Sequence, residues 1–296
     1  MIRIRTTVLY SVLLILIWGT AFSVIKIGLE YVPPILFSGI RTILGGLFLL
    51  AIALNRGGKA DFRKNGKIFG ISAFFNVVLF IGLQTFAVAY LTSGLAAVLI
   101  YMQPIIVGIL AKYWLQESLS PLKLTGLMLG FLGVIVISME GISNGEISVT
   151  GICMGLASAC AWAIGTVYLK NVQDTVDIPW LLAAQFTFGG LVLIVAGLFF
   201  ENWSAIEWTI SFGVSLLYTS VIGIMVSWML WLKLIHSGDA TVASAYTFGV
   251  PLVSIAAGIL YLDEKISFTL FLGSALIVVG IYLVNRRKSL KAESTT

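Results

Sequence analysis

The chain has 296 residues, 59% of them hydrophobic and 10% charged, where a soluble domain carries about a quarter of its residues as Asp, Glu, Lys or Arg. That composition argues against a soluble fold. The net charge of +5 does not point to nucleic acid either, because the basic residues fall between apolar stretches and at the termini instead of on one amphipathic surface.

Stretches of about 20 apolar residues, the length of helix that crosses a bilayer core, recur along the whole chain. Cutting at charged, proline-containing and glycine-containing breaks predicts spans over 7–27, 34–54, 68–90, 95–115 and 121–139, then 149–170, 179–200, 209–235, 239–262 and 266–285. The first stretch has no clear small-residue cleavage site, so it reads as a retained span and not a signal peptide. The expected fold class is an all-α polytopic membrane protein with ten transmembrane helices, and the even count places both termini on one side. Cys153 and Cys160, seven residues apart on one predicted helix, are too far apart along its axis to pair and read as small packing residues.

Lys and Arg favour cytoplasmic loops. Arg3 and Arg5 precede the first span, Arg56 to Lys67 join spans 2 and 3, and Arg286, Arg287, Lys288 and Lys291 follow the last. The alternate loops hold Glu30, Glu140, Glu146, Glu201 and Glu207. Both termini are thus predicted cytoplasmic, in a multi-pass protein of the plasma or inner membrane.

The chain repeats itself. At an offset of 144, Trp18 matches Trp162, Lys26 matches Lys170, and Gly45-Gly46-Leu47 matches Gly189-Gly190-Leu191; at 147, Ala96 matches Ala243, Pro104 matches Pro251, Glu117 matches Glu264, Gly126 matches Gly273, and Gly133 matches Gly280. Two halves result, 1–140 and 141–296. Five spans per half is an odd number, so the second half enters the membrane upside down, and such inverted repeats are typical of secondary transporters. The glycines of spans 5 and 10 are expected to serve close packing only.

Trp18-Gly19-Thr20-Ala21-Phe22 with Lys26, Pro34 followed by Arg41, then Pro104 and Glu117 together resemble the EamA-like transporters of the drug/metabolite transporter superfamily. The second half keeps Trp162, Lys170, Pro251 and Glu264, but Gln185 stands where Arg41 would be and Ala163 where Gly19 would be. The resemblance implies a ten-span carrier exporting amino acids or related small metabolites, with a central cavity lined mainly by spans 1, 3, 4, 6, 8 and 9. No cofactor or metal is expected. The expected partners are a small-molecule substrate, the lipid bilayer and a second copy in a weak homodimer.

Ionisable groups at bilayer depth are costly and normally functional. All thirteen Asp and Glu residues fall in loops, tails or helix ends, so the chain lacks the buried carboxylate with which small multidrug resistance relatives exchange protons for cationic drugs. Arg41 is the one basic residue well inside a span. It either attracts a substrate carboxylate or satisfies carbonyls and reaches toward the interface, and Gln185 in the other half favours the structural role. Glu117 and Glu264, at helix ends, either pair with Lys123 or Lys265 or act as gating latches.

Asn76, Phe80 and Gln84 share one face of span 3 at four-residue steps, as Gly223, Ser227 and Trp231 do on span 8. Pro104 and Pro251 are expected to kink spans 4 and 9 beside Tyr101 and Gln103, and beside Tyr246 and Thr247. Trp18 and Trp162, with Thr20, Ser158 and Thr166 nearby, complete a candidate cavity suited to a neutral or zwitterionic metabolite with an apolar side chain. An intramembrane enzyme would need a nucleophile with an activating partner at depth, and none is evident in the sequence. A membrane sensor or scaffold is the other alternative.

Overall fold

Backbone N–H and C=O groups in hydrocarbon must be satisfied within the protein, which helices do internally, and every regular element among the described residues is helical. The computed structural model describes residues 2–58, 60–116, 120–143, 148–237, 240–264 and 267–285. Its elements are α1 (Ile2–Gly28), α2 (Pro34–Asn55), α3 (Phe62–Tyr90), α4 (Ser93–Trp114), α5 (Pro121–Ser143), α6 (Val149–Val172), α7 (Ile178–Phe200), α8 (Ile210–His236), α9 (240–262) and α10 (Phe268–Asn285). By length and composition α1 to α4 and α6 to α8 can cross a membrane, while the apolar parts of α5, α9 and α10 are shorter. Glu117, Glu146, Lys265 and the basic tail from Arg286 lie outside the described residues, as do the side chains of Arg3, Arg5, Glu140 and Tyr246.

The helix starts follow from local chemistry. Pro34 opens α2, where its missing N–H costs nothing. Side-chain oxygens of Thr92, Ser148, Asp177 and Thr209 accept from the first free backbone N–H groups of α4, α6, α7 and α8. Asp61 caps α3 in the same way, so that helix begins six residues before the predicted 68. Arg63, Lys64 and Lys67 consequently stand on its first turns instead of in a loop.

Four helices are irregular, in two matched pairs. α3 and α8 each widen into a π-helical stretch, Phe74–Leu79 and Tyr218–Val226. In α4 the helix stops at Ile100 and restarts at Gln103; in α9 a 3-10 turn, Tyr246–Gly249, intervenes. Pro104 and Pro251 sit in the first turn of the restarted segments, so the chain breaks just before each proline, where its ring would meet the preceding turn.

Glycines bring helices together, and their contacts are reciprocal between the halves. A Cβ on Gly46 would strike Thr187 of α7, and one on Gly190 would strike Ile43 of α2. A Cβ on Gly133 would strike the Gly273 carbonyl, and one on Gly280 the Gly126 carbonyl. Gly45 abuts Ile224 and the Ser220 carbonyl, while Gly189 abuts Val77 and the Ala73 carbonyl. The α2–α7 and α5–α10 pairs therefore pack backbone against backbone. Facing outward are large apolar side chains such as Leu47, Phe131, Val195 and Phe271, a surface suited to lipid. Cys153 and Cys160 are exposed too. Contrary to the packing role read from sequence, the α6 face they share points away from the bundle.

Candidate functional site

Where α1, α3, α4, α6 and α8 converge, their aromatic side chains form one cluster. The Trp18 ring lies 5.4 Å from Trp162, 5.6 Å from Trp231 and 6.5 Å from Tyr101. Phe80 stacks on Trp162 at 4.8 Å and lies 6.3 Å from Trp228. Trp18 Nε1 donates to Ser227 Oγ at 2.8 Å, tying α1 to α8 through an otherwise apolar wall.

Beside this cluster is a cavity of about 30 Å³, lined by Trp18, Phe22, Arg41, Phe80, Gln84, Tyr101, Trp162, Thr219, Gly223 and Trp228 among others. It has room for a water or two but not for a metabolite, so the rings stand closed around the site. The cavity walls come from α1, α2, α3, α4, α6 and α8. Among the described residues α2 adds Arg41 to the spans implied by the resemblance, and no lining residue is from α9.

Arg41 is 4% exposed. Its Nη2 donates to Thr85 Oγ1 at 2.9 Å and to Gln84 Oε1 at 3.3 Å, both on α3, and its guanidinium carbon is 5.8 Å from the Phe37 ring centroid. Nε has no partner. The side chain thus neither reaches for the interface nor caps carbonyls, the two structural roles considered from sequence. Among the described residues that line the cavity, none is acidic.

The remaining sequence candidates divide. Trp231 belongs to the aromatic cluster but is fully buried behind the cavity. Gln103 donates through Nε2 to Thr166 Oγ1 at 3.0 Å, bridging α4 and α6, and its Oε1 is unpartnered. Thr20 points elsewhere, donating to the Leu16 carbonyl and meeting the Tyr218 hydroxyl at 2.6 Å. Asn76 is turned to Gln185 of α7, its Nδ2 3.4 Å from Oε1, and does not line the cavity. The side chain of Tyr246 is not among those described.

The π-helical stretches account for the misplacements on α3 and α8. A wide turn adds a residue to the spiral, so the four-residue steps that align Asn76 with Phe80, or Gly223 with Ser227 and Trp231, fail across it. On α8 the wall is read at Thr219, Gly223, Ile224 and Trp228. Trp228 was missed for this reason, and hydrophobic periodicity carries no signal of a π turn.

At one end of the bundle Lys26 Nζ donates to the carbonyls of Val88, Ala89 and Leu91, at 2.9, 3.3 and 2.7 Å, where α3 ends. Glu264 accepts there from Ser93 N and Oγ, at 2.6 and 2.9 Å, so it caps α4; Lys265, its expected partner, lies outside the described residues. At the opposite end Lys170 Nζ donates to the Ile235 carbonyl at 2.9 Å, where α8 ends. Ile235 follows Val88 by 147 residues, the offset of the sequence repeat.

Apolar helices around an enclosed polar and aromatic pocket define a multi-pass helical membrane protein. The chain belongs to the EamA-like transporter family, which it matches over residues 5–139 and 149–286. It is therefore a membrane transporter. It is 42% identical to the uncharacterized transporter YvbV of Bacillus subtilis, over 96% of this chain and 93% of that protein. It is 24% identical to a probable amino-acid metabolite efflux pump of Escherichia coli, over 96% of this chain and 97% of that protein. A solved crystal structure superposes with a TM-score of 0.71 at 19% identity, covering 94% of this chain and 96% of that one, a likeness of fold alone.

Proposed function

We propose that this transporter is a secondary carrier that exports amino acids or related small metabolites across the cytoplasmic membrane by alternating access. Ten spans form two inverted five-helix repeats, 1–140 and 141–296, with both termini in the cytoplasm. The observation that carries this reading is the pair of matched lysine latches at opposite ends of one pocket, Lys26 on the Val88 carbonyl and Lys170 on the Ile235 carbonyl. Releasing one while holding the other opens the pocket to one side at a time. The reciprocal glycine contacts and a family match in two segments support the duplication, and the efflux pump among the relatives supports the substrate class and direction.

Purified protein in liposomes should move amino acids down an imposed gradient, and inertness across a broad metabolite panel would overturn the reading. Comparing the metabolites outside cells with and without the gene expressed addresses substrate and direction together. Reporter tags after residues 60 and 204 should fall in opposite compartments; a shared compartment would remove the inverted arrangement.

A further inference from the structure

We propose that Arg41 docks the carboxylate of the transported molecule, and that the pocket selects carboxylates with an apolar or aromatic body over their neutral counterparts. This rests on the transport reading and narrows its substrate class.

A guanidinium has five N–H donors and is always charged. Here Nη2 donates to two neutral oxygens, Gln84 Oε1 and Thr85 Oγ1, and Nε is buried with nothing to donate to. A buried charge is tolerated when a counter-charge meets it, yet among the described residues none that lines the cavity is acidic. Gln185, at the matching position of the sequence repeat, is a neutral amide that meets Asn76 of α3, so nothing there answers the Arg41 charge. What the fold leaves without a partner, an incoming anion can supply.

A carboxylate suits that free donor. Gln84 and Thr85 take the two N–H groups of Nη2, and the single N–H of Nε is left to donate to one oxygen of an anion. The aromatic part of the wall, Trp18, Phe22, Phe80, Trp162 and Trp228 among it, is flat apolar surface for the remainder of the ligand. Trp162 and Trp18 also make binding visible, since indole emission responds to a ligand lodged against the ring.

The test uses full-length protein in detergent and two isosteric pairs, N-acetylphenylalanine and N-acetylleucine against their primary amides, read by saturable change in tryptophan fluorescence. The acids should bind about ten-fold or more tightly than the amides, as a charge-assisted pair implies. In Arg41→Gln acid affinity should fall to that of the amide, whose own affinity stays put, and Arg41→Lys should recover part of the preference. Equal binding of acid and amide, or an undiminished acid preference in Arg41→Gln, overturns the proposal. If Arg41→Gln does not elute as a monodisperse species, the wild-type comparison decides alone. In liposomes, flux restricted to uncharged solutes overturns the proposal while leaving the transport reading intact, and no flux at all removes both.

Discussion

Arg41 and Gln185 hold the same place in the two halves, 144 residues apart, and do different things. Arg41 borders the central cavity and leans on Gln84 and Thr85 of α3. Gln185 meets Asn76, within the π-helical stretch of the same α3, and stays out of the cavity. The framework around both is shared, because Gly46 and Gly190 bring α2 and α7 together through reciprocal contacts. Matched glycine contacts thus frame two positions whose side chains differ, and the charge at Arg41 stands to one side of that framework.

The strongest way to break this comparison is to give the second half a charge of its own. Gln185→Arg would bury a second cation beside Asn76 with no counter-charge, and should cost about 3–5 kcal/mol, read as loss of monodisperse protein and a collapsed thermal transition. If it folds as well as the parent, the two positions are interchangeable and the asymmetry means nothing. Next come Gly46→Val and Gly190→Val, each overpacking the α2–α7 interface by about 1–3 kcal/mol. Thermal melting should show the two alike, whereas a strongly unequal pair would contradict a shared framework.

The latches sharpen the comparison on the functional side. Lys26 holds three carbonyls and Lys170 one among the described contacts, so Lys26→Met should free its end more than Lys170→Met frees the other, by about ten-fold or 1.4 kcal/mol. Labelling of Ala21→Cys, at the cavity wall, by a water-soluble thiol reagent added from each side would measure it, in a background lacking Cys153 and Cys160. The smallest effect belongs to Ser227→Ala, which removes the acceptor of the Trp18 indole N–H and should cost about 1 kcal/mol, a modest drop in melting temperature with the fold unchanged.

Most of the architecture was legible in the residues, because apolar length and breaking prolines act locally. Most helix ends agree closely; α1 starts five residues early, α5 runs four residues long, and at α3 the polar cap Asp61 extends the helix into a stretch whose charges read as loop. The site was legible in part. Trp18, Phe80, Gln84, Tyr101, Trp162 and Arg41 do border one cavity, since all stand on regular helix or at a proline break. Thr20 and Asn76 do not, and Trp228 does, because face assignments fail wherever the spiral departs from its usual pitch or where two residues along the chain mean more than half a turn. Gln84 as a partner of Arg41 is a tertiary contact that no spacing within either helix reveals.

The stretches Phe74–Leu79 and Tyr218–Val226 make the pocket sensitive to residue count as well as residue identity. Deleting one residue from the first would let α3 close into a regular spiral and swing everything beyond it by about 100°, carrying Phe80 and Gln84 away from Arg41. Point substitutions in the surrounding helices leave that wall aimed as it is, whereas a single lost codon in either stretch would turn it.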